Sequence, residues 1–358
     1  MDKEELTEEK ISSDSNINEE LVTLIRGFFA TPVISALGMT GALGAMSAKP
    51  QFSEADFPEI SNKQLLRFSF DYLSRIGVLG HASSPETFQV TELGRQIFQR
   101  VNSFYAPHSY GDYMVHFRDE LMNRGEYRKH AVDRYENIVG SGRTHERYFP
   151  PAVSFLRRKV QFDVMLDLGC GDGRFLEFVL RGVPGVKVLG IDLSEVSVET
   201  TLKNLQKKFK DREIETFAGD AGDIQKWSKL IKAHIGGKRL AISMWFLVHE
   251  ISRRNPANVI AFLKETHRLF PAAPIVICEL VRQSAALLTE HRRHLLMPEY
   301  LLFHDISLQG VLSWQEYRHI LSSIPYDLAM ERVFDEIPTR EGSKEPATFV
   351  WCLTPKGK

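Results

Sequence analysis

The sequence predicts a doubly wound α/β sheet of seven mostly parallel strands behind an N-terminal helical region. Three observations lead there. A mostly apolar run, 162–168, flows into Asp167-Leu168-Gly169-Cys170-Gly171-Asp172-Gly173 and then an amphipathic stretch from Arg174 to Leu180, which reads as strand, glycine turn and helix. A second apolar run, 186–191, ends on Asp192, nineteen residues past Gly173, and Gly219-Asp220 falls at a further strand end. From Val160 onward, short β-type runs alternate with helical periodicity, the pattern of a sheet covered on both faces.

Taken in order, residues 1–18 are polar, charged and without periodicity, and read as a disordered tail. From Glu20 the pattern turns helical, with Leu21, Leu24, Ile25, Phe28 and Phe29 on one face. Thr31-Pro32 should interrupt it, and Val33, Leu37 and Leu43 continue. Gln64 to Gly77 predicts a helix with Leu65, Leu66, Phe68, Leu73 and Ile76 inward, followed by two short strands at 78–80 and 88–90. Helices and then a small hairpin are winged-helix-like, so 19–108 is expected to be one helical domain. Residues 109–158 read as linking helices that line a substrate pocket, and 159–358 as the catalytic domain. Its expected strands are 164–168, 187–191, 214–218, 240–244, 275–279, 329–336 and 347–353, the last two forming an antiparallel pair.

Composition narrows the class. A net charge of −1 leaves no electrostatic footprint for nucleic acid or an anionic membrane. The helix 64–77 offers Lys63, Arg67 and Arg75 against Asp71, a poor DNA reader. Cys170, Cys278 and Cys352 form no metal-spaced pair and suit a reducing compartment. The N-terminus lacks an apolar signal core, and no stretch is expected to span a membrane, so a cytoplasmic location is expected.

The glycine run DLGCGDG resembles motif I of the class I S-adenosylmethionine (SAM) methyltransferases, which implies a Rossmann-like fold with SAM as cofactor. On that resemblance Gly169, Gly171 and Gly173 contact the methionine part and Asp167 takes its amine. Asp192, with Leu193 beside it, binds the ribose. Asp220 and Ala221 lie at the adenine, and Ser243, Met244 and Trp245 pass under the sulfonium. The N-terminal region is similar to the dimerisation region of plant-type O-methyltransferases, which implies a homodimer.

Beyond the fourth strand come Trp245-Phe246-Leu247-Val248-His249-Glu250, then Glu279 at the next strand end, then His304 in Phe303-His304-Asp305. Two histidines and a carboxylate from neighbouring strand ends suit a divalent metal, iron or zinc. The stretches GSGRTHERYFPPAV, WFLVHE and LLFHDISLQGVLSWQEY resemble the 2-oxo acid C-methyltransferases, a group that includes phenylpyruvate and 2-ketoarginine β-carbon methyltransferases. That resemblance implies a small 2-oxo acid substrate, a metal on His249 and His304 with Glu279 as a further ligand in some members, and a place in nonribosomal peptide chemistry. It puts Arg134 on the substrate carboxylate and Tyr113 in the pocket wall. Glu250 stands where the family carries aspartate. Two rivals stay open: a metal-free O-methyltransferase with His249 as general base, and a winged-helix regulator with a SAM-sensing domain.

Overall fold

The computed structural model describes residues 15–122, 138, 142, 144–291, 296–307, 309–339 and 342–357. The chain forms two units that divide after Gly111.

The N-terminal unit begins with one helix, Ser15–Met39, that carries Pro32 in its interior. The expected break at Pro32 does not occur, although proline removes one backbone donor. Of the expected disordered tail, residues 15–18 belong to this helix, and 1–14 lie outside the described residues. Ile34 and Leu37 are buried in the core of the unit with Met46, Phe52, Phe57 and Phe70. The helix Lys63–Arg75 turns Leu66, Phe70 and Leu73 inward. Leu65 and Phe68, expected inside, are 59% and 57% exposed. The inward stripe is spaced three and four residues apart through Phe70, and the two outer residues lie off it. Strands β1 (Leu79–His81) and β2 (Phe88–Val90) pair as an antiparallel hairpin. The expectation that no stretch approaches a membrane span is also corrected. By length and composition alone the helix 19–39 could cross a bilayer, and only 22% of its most apolar window is buried.

The second unit is built on a seven-stranded sheet. Its strands are β3 (Val164–Leu168), β4 (Lys187–Asp192), β5 (Ile214–Ala218), β6 (Leu240–Trp245), β7 (Ile275–Leu280), β8 (Tyr326–Phe334) and β11 (Thr348–Pro355), in the order β5-β4-β3-β6-β7-β11-β8. Between β8 and β11 a two-residue pair, β9 (Ile337–Pro338) with β10 (Lys344–Glu345), forms a separate ribbon. Strands β3 to β7 run parallel, and β11 inserts antiparallel between β7 and β8. Every residue of β3, β4 and β6 is buried, as a sheet covered on both faces requires. This is the Rossmann-like fold expected from the sequence. The strand order reverses between β3 and β6, so a crevice opens there at their carboxyl ends, where ligands bind in such sheets.

Candidate functional site

One half of the crevice is the turn after β3, where the sequence predicts the methyl donor. Gly169, Gly171 and Gly173 have φ of 73°, 54° and 78°, left-handed values that other residues adopt at a cost. A side chain at Gly173 would also strike Thr201, whose methyl lies 2.5 Å from the added Cβ. Thr201 donates to the Gly171 carbonyl at 2.8 Å, and the helix Arg174–Gly182 follows directly.

Asp192 ends β4 and closes the turn from the side. One carboxylate oxygen accepts the Gly171 N–H at 2.9 Å, and the other accepts the Ser194 N–H at 2.9 Å. Beside it Leu193 is 66% exposed, an apolar surface beside the crevice. Asp220 is exposed, accepts the Gly222 N–H, and is followed by buried Ala221. If Asp192 binds the ribose as the resemblance implies, Asp192→Ala is expected to weaken SAM binding sharply, because the ribose hydroxyls and the Gly171 N–H both lose a charged acceptor. Calorimetric titration that finds unchanged affinity would remove Asp192 from the site.

Register explains the next contact. Ser243 on β6 pairs with Asp167 on β3, and its hydroxyl donates to the Asp167 carboxylate at 2.7 Å. Burial pushes the Asp167 pKa up to about 7; the Ser243 hydrogen bond opposes the rise and the Asp192 charge adds to it. A ligand ammonium would favour the ionised form. The Met244 and Trp245 side chains turn into the core on opposite faces of the sheet. Trp245 packs on Phe149 and Phe175 with centroids 4.6 Å away in each case.

The other half, where the sequence predicts the acceptor, is built around the turn after β6. Phe246 is left-handed with φ 52°, and the short helix Val248–Ser252 begins two residues on. His249 is 5% exposed and Glu279, in β7, is fully buried. The Glu279 carboxylate accepts three N–H groups: His249 Nδ1 at 2.8 Å, the His249 backbone at 3.1 Å and the Leu280 backbone at 2.8 Å. From the helix Met297–Ile306, His304 presents its ring edge-on to His249, with centroids 4.6 Å apart at 83°. Its Nδ1 faces the Tyr300 carbonyl at 2.5 Å. Both Nδ1 partners are acceptors, so in the neutral rings each Nδ1 carries the proton and each Nε2 bears the lone pair. The turn is held from behind by the Gly310 N–H, which donates to the His249 carbonyl at 2.8 Å. A Cβ at Gly310 would stand 1.8 Å from the Arg254 nitrogen.

Electrostatics divides the histidines. Burial works against the charged form of His249, but the Glu279 charge and hydrogen bond, joined by Glu250, outweigh it and raise its pKa. Burial, reinforced by the His249 charge, lowers His304 from 6.5 to about 4. His145 falls to about 3 through burial and the His249 and Arg147 charges. The signs differ. The His249 pair contributes fully below the unfolded pKa of ~6.5 and is lost as pH rises through the raised folded value. A depressed histidine contributes fully above 6.5 and is lost as pH falls toward its folded value. For His304 that window runs from 6.5 to about 4. A shift of that size corresponds to on the order of 3 kcal/mol. The melting temperature is therefore expected to fall between pH 6.5 and 4 by less in His304→Phe than in the wild type. An equal fall in both would refute the assignment.

The structure thus brings His249, Glu279 and His304 together, but not as the three-ligand set expected. Three N–H groups already occupy the Glu279 carboxylate, which places it behind His249 as an orienting group. Among the described residues no three His, Cys, Asp or Glu side chains are gathered as a metal-holding group. The donors that remain are two imidazole Nε2 atoms, and a metal-binding histidine commonly has its other nitrogen tied to a carboxylate or carbonyl, as both are here. Glu250 accepts the Gln309 amide at 2.9 Å. Tyr113 is buried on the helix Gly111–Val115 and packs edge-on to Phe117. Arg134 lies outside the described residues. His145, stacked on Phe246 at 3.6 Å, was given no role by the sequence reading, although it lies inside GSGRTHERYFPPAV.

Comparisons with known proteins agree with the fold. Residues 165–269 match the family model described as "Methyltransferase domain". A curated protein of Methanococcus vannielii, "Probable cobalt-precorrin-6B C(15)-methyltransferase (decarboxylating)", is 32% identical over 98 residues, 27% of this chain and 51% of that protein. Its namesake in Methanococcus maripaludis is 42% identical over 76 residues, covering 21% and 40%. The chain therefore spans about half the length, or less, of these curated relatives. Among solved structures, human N-acetylserotonin methyltransferase in complex with SAM aligns over 97% of this chain and 99% of its own. The TM-score is 0.60 at 16% identity. The mitomycin 7-O-methyltransferase MmcR aligns over 96% and 99% with a TM-score of 0.61 at 12% identity. These likenesses cover the N-terminal helical unit as well as the sheet.

Proposed function

We propose that the protein is a SAM-dependent methyltransferase that methylates C3 of a small 2-oxo acid. The donor side of this reading is supported by the left-handed glycine turn, by Asp192 closing it and by Asp167 beneath it. The matched methyltransferase domain spans this region. The acceptor side rests on one observation, the His304 ring set edge-on to His249 with each Nδ1 bonded to an acceptor.

The C3 proton of a 2-oxo acid is acidic because the enolate left behind is conjugated with the keto group. Once a base has taken the C3 proton, the enolate carbon attacks the SAM methyl in line, and the methyl–sulfur bond breaks so that the sulfonium leaves as a neutral thioether. A divalent ion held by His249 and His304 would supply Lewis acidity toward the keto and carboxylate oxygens. Glu279 fixes the tautomer and orientation of His249. Buried His304 stays neutral near pH 7 and keeps its lone pair. Leu247, Val248 and Phe303, flanking His249 and His304 in the chain, are buried, and a dry surround of this kind limits water that would otherwise reprotonate the carbanion.

A second reading, metal-free O-methylation, is favoured by the His249–Glu279 pair itself. A carboxylate-oriented imidazole with a raised pKa is a competent general base for a hydroxyl acceptor. The two readings part on His304, which only the first requires. The test is turnover of a panel of 2-oxo acids and phenols with SAM, before and after chelation, with iron or zinc restored. Oxo acid turnover that chelation abolishes and metal restores supports the first reading. Full activity in the stripped protein rules it out and leaves His249 as base.

We also propose a homodimer through the N-terminal unit. Leu24, Ile25, Phe28 and Phe29 of the first helix are 73%, 59%, 64% and 57% exposed. A contiguous apolar face of this kind marks an interaction site on a monomer. Light scattering at micromolar concentration is expected to give twice the chain mass, and Phe28→Glu is expected to halve it. A monomeric wild type would refute the proposal.

A further inference from the structure

Gly142 and residues 144–148 touch both halves of the crevice in the second unit. On the donor half, a Cβ at Gly142 would stand 3.0 Å from Asp172 Oδ1, so the backbone there rests on the glycine turn. Glu146 pairs with Arg174, which also donates from Nε to Asp172 at 2.6 Å. On the acceptor half, the His145 ring lies nearly flat on Phe246, 3.6 Å between centroids and 20° between planes. At the far end Arg147 donates to Asp335 through both terminal nitrogens, at 2.6 and 3.1 Å, and the Tyr148 hydroxyl donates to it at 3.1 Å.

Two of these anchors carry strained backbone. Phe246 and Asp335 have φ of 52° and 53°, left-handed values for residues with a Cβ. Such conformations persist where the surroundings hold them, and they cluster at ligand clamps. Here the surroundings are the segment itself, which grips one strained residue by stacking and the other by charge. The same segment leans on the turn where the methionine part of SAM would lie.

We propose that residues 144–148, with Gly142, form a strap that retains the methyl donor, and that His145 is the positioning residue whose stacking on Phe246 clasps it shut. This rests on the SAM reading above. A strap of this kind slows escape of the bound cofactor more than it changes entry, because its contacts must break before the ligand leaves.

The test is release of S-adenosylhomocysteine from the full chain, followed by stopped-flow, with calorimetry for affinity and a melting curve for each variant. His145→Ala is expected to release it about tenfold faster with little change in association. His145→Phe, which keeps a flat ring, is expected to return within about twofold of wild type. Release from His145→Ala at the wild-type rate would overturn the strap and leave the SAM reading intact. His145→Phe as fast as His145→Ala would overturn stacking as the clasp. A wild-type protein that binds no S-adenosylhomocysteine would overturn both the strap and the SAM reading. Should His145→Ala melt below the assay temperature, Asp335→Asn loosens the opposite anchor at a half-exposed position. Faster release there supports the strap, and an unchanged rate refutes it.

Discussion

On the 2-oxo acid reading proposed above, His304→Ala is expected to abolish turnover, by more than about 100-fold, and to abolish retention of a divalent metal. His304 lies within ring contact of His249 and carries its lone pair on Nε2, with Nδ1 committed to the Tyr300 carbonyl. No other described residue pairs with His249 in this way at the acceptor side. SAM affinity should be unchanged, because the glycine turn, Asp167 and Asp192 do not touch His304. Metal content by elemental analysis, SAM titration and turnover on the same preparation separate the outcomes. Loss of metal and turnover with SAM binding intact is the expected result. Retained turnover would transfer the chemistry to the His249–Glu279 pair alone and favour O-methylation.

Glu279→Ala should produce the largest loss of stability, about 3–5 kcal/mol. The carboxylate is fully buried and accepts three N–H groups, two from His249 and one from Leu280, so its removal orphans all three in a dry site. Denaturant unfolding measures the loss, and a cost below ~1 kcal/mol would mean that water or a neighbour satisfies those donors. Glu279→Gln separates charge from hydrogen bonding. The amide oxygen can still accept from Nδ1, but the charge that raises the His249 pKa is gone. The acidic limb of the pH–activity profile should therefore move to lower pH. An unmoved limb would show that it does not belong to His249.

The sequence by itself determined the sheet and the glycine turn after β3. Parallel strands buried on both faces must be nearly all apolar, so β3, β4, β6 and β7 could be read to within a residue. A glycine turn announces itself because only glycine takes three left-handed positions in five residues without strain, and Asp192 follows at the end of the next strand. These are local rules, and local rules are legible in a linear chain. The first helix was less so. Its proline suggested a break, yet the helix continues through Pro32, since tertiary packing of Ile34 and Leu37 outweighs one missing hydrogen bond.

Only the tertiary structure decided what Glu279 does. The sequence placed it at a strand end near two histidines, which is where a ligand would stand. Whether its oxygens face a metal or the backbone of a neighbouring turn depends on how β7 lies against the helix Val248–Ser252, and that is a contact between residues thirty positions apart. The same holds for His145 and Phe246, whose stacking joins segments a hundred residues apart. Residue types can nominate a site, but hydrogen-bond roles are set by which partner arrives, and the partner is chosen by packing.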